Sequence, residues 1–406
     1  MMVPMRDGAR LAADVFRPAD AGPLPAVLVR TAYGRSTREF AMTDYPRIAA
    51  AGFVVVVQDK RGRFDSEGDY RLLHDDGIGE HQDGYDTVEW IAAQAWCSGE
   101  VGAFGISYLG QTVLGAATAA PPSLRAGVPT QPSSDEFTDR TFVDGVLSPF
   151  SGTWAVLPMV SDDLIAKLPA DQRGRAEEER NEYLSGLPAI SASVPLLDQP
   201  FLRLFPQVWG DALLHRDHPE FFAESRFGVE EAARVRVPLL HVGGWFDVFT
   251  RNSARQYGLV SEHGHDQDVR EGQRLVLGPF SHGGLSSNEV GGRRFPDGAI
   301  DYIGLVIEWL GRWLRGEEPS RPDHRVIIYV LGADRWRAEA EWPPPGASPG
   351  VFALGADGGL VPGAARPGPA RSLRPGRAVH GRPAAERGHG GPVGAAHRRR
   401  RRGLHE

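Results

Sequence analysis

Short apolar runs alternate with amphipathic stretches through the first third of the chain. From Arg10 the residues alternate, with Leu11, Ala13 and Val15 on one side, as a half-buried strand does. Residues 25–31 and 53–58 are valine-rich runs of the kind that fill strands covered on both faces. Residues 83–94 place Tyr85, Val88, Ile91 and Ala92 at helical spacing; residues 100–106 then read as another strand and 108–120 as a helix. Strands that alternate with helices predict an α/β fold with a doubly wound, mostly parallel sheet.

The pattern changes between about residues 132 and 234, where charged helical segments (171–184) and aromatic stretches (201–209) replace the strand runs. This reads as a helical insertion over the sheet. Strand-like sequence resumes at 238–242 and 274–277. A helix at 303–314 follows, with Ile303, Val306, Ile307, Leu310, Trp313 and Leu314 on one face. The expected organisation is an α/β unit of residues 1–131 plus 235–316 and an insertion at 132–234. A β domain begins near 323, beyond the linker at 317–322, and runs to 360. Residues 361–406 have no aromatic residue and consist mainly of Arg, Gly, Pro, Ala and His, so they are expected to be disordered.

The 406 residues carry a net charge of −7, unevenly spread. Residues 361–406 hold eleven Arg and two Glu, which leaves the first 360 residues with −16. An acidic body of that kind argues against a nucleic-acid partner, although the tail by itself also reads as a basic arm. No apolar run approaches the roughly 18 residues of a membrane span, and the start resembles no export signal. With Cys97 as the single cysteine, a cytoplasmic location is expected. Nothing in the sequence sets an oligomeric state.

The candidate chemistry centres on Gly105-Ile106-Ser107-Tyr108-Leu109-Gly110, a G-x-S-x-x-G with its second glycine one place late for the usual lipase pattern. A strand runs into this serine and a helix leaves it, as a nucleophile elbow requires; the alternative is a serine that only caps a helix. A serine nucleophile needs a base, and the base needs a carboxylate, in the chain order Ser, Asp, His on such sheets. Asp247 and His282 each follow a strand, at 238–242 and 274–277. Other histidines fit less well, since His241 lies within its strand, His74 and His81 precede the serine, and His215 and His218 lie in the insertion. His263, His265, Asp266 and Asp268 read as a solvated polar loop, and no metal is expected.

These motifs carry a resemblance. Met5-Arg6-Asp7-Gly8, Gln58-Asp59-Lys60-Arg61-Gly62, Ala95-Trp96-Cys97-Ser98-Gly99, the serine motif, Gly244-Trp245-Phe246-Asp247 and Gly278-Pro279-Phe280-Ser281-His282 resemble the cocaine-esterase and X-Pro dipeptidyl-peptidase family of serine hydrolases. The likeness covers about residues 5–350. It implies an α/β-hydrolase with a helical cap and a truncated C-terminal jelly-roll-like β domain. It also implies a Ser107, Asp247, His282 triad, and an oxyanion hole made by the Tyr108 N–H and the Tyr33 hydroxyl. Phe249 and Trp154 are candidates for the substrate pocket. Asp59 and Arg61 are expected to pair with each other, and Cys97, Trp90 and Trp96 to fill core.

The implied activity is cleavage of a small-molecule ester, amide or short peptide through an acyl-serine, without a cofactor. Release of X-Pro dipeptides is the alternative within the class, and an inactive truncated hydrolase or binding protein the alternative outside it. The family's jelly-roll is longer than the sequence after residue 323. Residues 372–381, read from the second nucleotide of each codon, allow Arg-Tyr-Asp-Pro-Asp-x-Pro-x-Thr-Val, which resembles a segment of that domain. A one-nucleotide frameshift between about residues 355 and 372 is therefore expected.

Overall fold

A computed structural model describes residues 1–19, 21–36, 44–143, 145–148, 162–186, 203–208, 210–320, 322–354 and 360–363. Ten strands form one sheet: β1 (Met2–Pro4), β2 (Arg10–Phe16), β3 (Leu24–Thr31), β4 (Val54–Asp59), β5 (Cys97–Ile106), β6 (Leu124–Thr130), β7 (Leu240–Phe246), β8 (Arg274–Ser281), β9 (Val326–Val330) and β10 (Arg335–Glu339). Their order is β1-β2-β4-β3-β5-β6-β7-β8-β9-β10. Every pair from β4 to β9 is parallel, while β1, β2 and β10 join antiparallel at the two edges. This is the doubly wound α/β sheet the sequence predicts.

Layering explains the valine-rich runs. All six residues of β4 are buried, because apolar clusters cover both faces of the sheet. One face packs Val27, Val29, Val55 and Val57 against α1 (Tyr45–Ala50) and the last long helix, here α5 (Tyr302–Arg315). The other packs Val54, Val56 and Ala103 against α2 (Asp83–Ala92) and α3 (Tyr108–Ala119). A fourth helix, α4 (Thr250–His263), follows β7. Helix α5 buries Ile303, Val306, Leu310 and Leu314 as its spacing predicts, with Ile307 and Trp313 only partly covered. Asp301 caps its start by accepting from the Gly304 N–H, and Gly316 ends it in the left-handed conformation. No helix among the described residues is long and apolar enough to cross a membrane.

The chain order β4-β3-β5 reverses direction at β3, so the crevice between the carboxyl ends of β3 and β5 is the topological switch point where such sheets bind ligands. Ser107 follows β5 and Tyr33 follows β3.

Residues 326–339 depart from expectation. They extend the central sheet instead of opening a separate β domain, with Leu275 in register with Val326 and Val330 with Arg335. Val326 and Ile328 pack with Leu275, Leu277 and Tyr257. The strand signal is correct, but a short β-branched run does not say which sheet receives it. From Ser348 on, the described residues belong to a second unit, in which Phe352–Leu354 pairs antiparallel with Leu360–Pro362. The tail beyond residue 363, with the frameshift expectation attached to it, lies outside the described residues. Within the insertion, the described residues form a π-helix at Glu136–Thr141, helices at Asp162–Lys167, Ala170–Ser185 and Gly210–Leu214, and a short antiparallel pair of Phe142–Val143 with Val146–Leu147.

Two polar groups need separate account. Asp266 caps the helix Gln267–Gly272 by accepting from the Val269 N–H, and no group of three or more potential ligands comes together among the described residues. His241 is fully buried on β7, with Nε2 3.2 Å from Gln273 Oε1, and burial lowers its pKa to about 4. The folded protein therefore binds fewer protons here than the unfolded chain between roughly pH 6.5 and 4, so stability present above that window is lost as pH falls through it. Chemical denaturation should show a decline of about 2–3 kcal/mol from this group over that range. In His241→Leu the curve should be flatter; an unchanged slope would mean that His241 takes no part.

Candidate active site

The serine sits on a sharp strand-to-helix turn. Ser107 has φ 62° and ψ −121°, a conformation that non-glycine residues seldom occupy and that turns the chain abruptly from β5 into α3. Its N–H donates to the Thr130 carbonyl on β6 at 2.8 Å, which holds the turn against the neighbouring strand. This close approach explains both glycines. A Cβ on Gly105 would lie 2.4 Å from Leu109 backbone atoms, and one on Gly110 2.8 Å from the Thr130 carbonyl oxygen. The late second glycine is thus set by packing of the first turn of α3 on β6.

Ser107, Asp247 and His282 come together. His282 Nε2 lies 2.8 Å from Ser107 Oγ, and His282 Nδ1 lies 2.7 Å from Asp247 Oδ1. The carboxylate is wholly covered, whereas the imidazole is about one-third exposed. The hydrogen-bond sequence fixes the useful tautomer: Nδ1–H donates to the carboxylate, and Nε2 is left to accept the serine proton. Asp247 is itself held by its turn, where its N–H donates to the Gly244 carbonyl at 3.1 Å and Thr250 Oγ1 donates back to the Asp247 carbonyl at 2.5 Å. Asp247 Oδ2 has no hydrogen-bond partner among the described residues, so the imidazole N–H is the donor that meets this buried carboxylate.

One supporting residue had no signal of its own in the sequence. Gln131, completely buried at the carboxyl end of β6, grips the loop on both sides of His282. Its Nε2 donates to the Ser281 carbonyl at 2.9 Å, and its Oε1 accepts from the Gly283 N–H at 2.7 Å. Its own backbone is left-handed, with φ 48°. Its place directly after β6 is a signal that a strand reading of residues 124–130 would have supplied.

Tyr33 and Tyr108 lie side by side, ring centroids 6.2 Å apart and edge to face. Tyr108 opens α3, and its hydroxyl accepts from the Leu73 N–H at 2.9 Å, while the Lys60 ammonium lies 5.2 Å from its ring centre. Tyr33 is on a half-buried loop whose next residues are pinned by Arg35. That side chain pairs with Asp59, with Asp14 at 3.1 Å and with Asp65 at 2.7 Å. Asp59 therefore does not pair with Arg61, as expected from the sequence; Arg61 instead meets Asp83 at 2.6 Å and Asp7 at 2.7 Å. Proximity in sequence misled because Asp59 ends β4 facing the Tyr33 loop, while Arg61, beyond the turn, faces α2.

A cavity of about 20 Å³ opens on Ser107 and His282 and is lined further by Leu73, Tyr108, Ser133, Arg140 and Phe249. Phe249 packs edge-on against the His282 ring at 5.6 Å between centroids. Trp154 lies outside the described residues. Arg140 and Ser133 were not anticipated, because nothing marks one arginine of a polar insertion as inward-facing.

The chain matches known proteins over most of its length. A family model described as X-Pro dipeptidyl-peptidase (S15 family) matches residues 7–284. Cocaine esterase of Rhodococcus sp. (strain MB1 Bresler) is 32% identical over 372 residues, which are 88% of this chain and 62% of that protein. This chain thus spans somewhat under two-thirds of that relative. Among solved structures, an aminopeptidase from a marine sediment Thaumarchaeota archaeon has a TM-score of 0.68 at 24% identity, covering 89% of this chain and 61% of that one. A CocE/NonD family hydrolase from Staphylococcus aureus has a TM-score of 0.59 at 20% identity, covering 87% and 56%. These two likenesses concern the fold.

The Gln131 clasp generates a test. Gln131→Leu should leave the Ser281 carbonyl and the Gly283 N–H unpaired, cost about 1–3 kcal/mol in denaturant unfolding, and displace the imidazole from Ser107 in a crystal structure. An unshifted His282 would show that the loop holds itself.

Proposed function

Because the chain belongs to the X-Pro dipeptidyl-peptidase (S15) family, we propose that it is a serine hydrolase that transfers an acyl group from a carboxylic ester or amide to water through an acyl-serine. The observation that carries this reading is the unbroken line of hydrogen bonds from Asp247 through His282 to Ser107, at 2.7 and 2.8 Å.

In the proposed reaction, Ser107 Oγ attacks the scissile carbonyl carbon while its proton passes to His282 Nε2. The carbonyl π pair becomes an oxyanion. That charge is received by the Tyr108 N–H, at the start of α3 where backbone donors lack helical acceptors, and by the Tyr33 hydroxyl. Collapse of the tetrahedral species breaks the bond to the leaving oxygen or nitrogen, which takes the proton from His282. Water then attacks the acyl-serine, gives its proton to His282, and the second collapse returns that proton to Ser107 and releases the acid. Asp247 stays ionised throughout and stabilises the imidazolium that forms twice. Acid abolishes activity on this scheme, because a protonated His282 cannot accept the serine proton.

Esters fit the chamber better than X-Pro peptides. Release of an N-terminal dipeptide requires an anion for the substrate's ammonium group, and the described residues that line the cavity include no carboxylate.

A fluorophosphonate should label Ser107 within minutes, and Ser107→Ala should abolish both labelling and turnover of p-nitrophenyl acetate. Asp247→Asn should lower kcat by about 10⁴-fold, since the imidazole then loses the acceptor that fixes its tautomer. Unlabelled Ser107 in folded protein, or faster cleavage of an X-Pro anilide than of the ester, would count against this assignment.

A further inference from the structure

The segment that leaves β6 serves the reacting histidine twice. Gln131 holds the His282 loop, and two residues further on Ser133 lines the cavity that opens on Ser107 and His282. Ser133 is buried and its hydroxyl has a fixed direction. Its Oγ donates to Gln111 Oε1 at 3.3 Å, and the other end of that amide donates to the Ser225 carbonyl at 3.0 Å, which keeps the amide oxygen towards Ser133. The backbone is pinned as well, since Gln256 Nε2 donates to the Ser133 carbonyl at 3.2 Å and to Ser134 Oγ at 2.8 Å. With its hydrogen given to Gln111, Ser133 Oγ can only accept from a molecule in the cavity. Of the other polar side chains in the lining, Tyr108 has its hydroxyl engaged by the Leu73 N–H, and Arg140 carries donors alone. Leu73 and Phe249 supply apolar wall.

The cavity volume, about 20 Å³, is that of one water molecule, which requires about 10–15 Å³ and two to four polar partners. One water set against the base is what hydrolysis of an acyl-serine needs. We infer that Ser133 is a positioning residue for deacylation, holding the attacking water between its own Oγ and His282 Nε2. One hydrogen of the water points to each, which leaves a lone pair for the acyl carbon. The new C–O bond forms as the carbonyl π pair moves onto its oxygen and the first hydrogen passes, as a proton, to His282 Nε2. Collapse then breaks the bond from that carbon to Ser107 Oγ, which takes the proton back from His282. The hydrogen directed at Ser133 leaves with the acid. Acylation makes no use of Ser133, because its nucleophile, Ser107 Oγ, already lies 2.8 Å from His282 Nε2. The inference rests on the serine hydrolase reading and goes beyond it by giving one half of the reaction a residue that the other half does not need.

The test separates the two halves with p-nitrophenyl acetate in a stopped-flow spectrometer. Ser133→Ala should release the first equivalent of p-nitrophenol as fast as the unmodified protein and then turn over about tenfold more slowly, as for one lost hydrogen bond. KM should fall by the same factor, so that kcat/KM, which reports acylation, stays level. Mass spectrometry of acid-quenched Ser133→Ala should find the protein one acetyl group heavier, with the acetyl on Ser107. If Ser133→Ala does not fold, Ser133→Cys, which keeps a side chain of similar shape with a weak acceptor, carries the same comparison. A kcat/KM that falls together with kcat means that the substitution disturbs the triad as a whole, and it overturns the inference. An unchanged kcat in the folded variant overturns it too. Fluorophosphonate labelling distinguishes the two levels: labelled Ser107 with unchanged deacylation defeats this inference alone, whereas unmodified protein that is neither labelled nor active defeats the hydrolase reading with it.

Discussion

The close approach of α3 to β6 is the constraint on which the rest depends. A serine forced to φ 62° projects its hydroxyl beyond the sheet only if the backbones on either side can nearly touch, and this is what Gly105 and Gly110 permit. The strain has a cost of order 1–3 kcal/mol, offset by the parallel ladder of β5 and β6 and by the bond from Ser107 N–H to Thr130. Once the hydroxyl is fixed, the other groups have one place to be. Strands β7 and β8 end beside it, and their loops deliver a carboxylate and an imidazole in the order in which a proton would use them.

The fold was legible where sequence periodicity maps directly onto burial. Valine runs became central strands, and the apolar stripe of residues 303–314 became a buried helix face. The meeting of Ser107, Asp247 and His282 was legible as well, since each follows a strand. Contacts made across the fold were not. The partner of Asp59 is Arg35 and not Arg61, because two residues of separation around a tight turn send side chains in opposite directions. Gln131 and Arg140 were invisible for a related reason: an amide after a strand and an arginine in a charged segment are common, and only packing shows that one clasps a loop and the other faces a cavity. Residues 326–339 show the same limit for backbone, since a strand pattern names no neighbour.

A network of buried charges lies beside the site. Arg30, Lys60 and Arg61 contact Asp76, Asp83 and Asp7 beneath the loops that follow β3 and β4, and Lys60 lies under the Tyr108 ring. Such networks add little net stability, because desolvation consumes most of the Coulomb gain, but removing one partner is severe. Their effect here is geometric, as each ion holds a neighbour in a single position. The His282 side is held by neutral bonds from Gln131 and by the Asp247 turn.

The anchoring of Arg35 gives the Tyr33 loop an unusual mechanical character. Loops are commonly the compliant parts of a protein, yet this one is moored through a single guanidinium to carboxylates from β2, from the end of β4 and from the turn beyond it. A phenol so moored moves with the scaffold and not with the solvent. Stiffness in this molecule is therefore not confined to strands and helices; at Tyr33 it is conferred by ionic moorings, which makes that loop sensitive to ionic surroundings in a way that the neutral clasp around His282 is not.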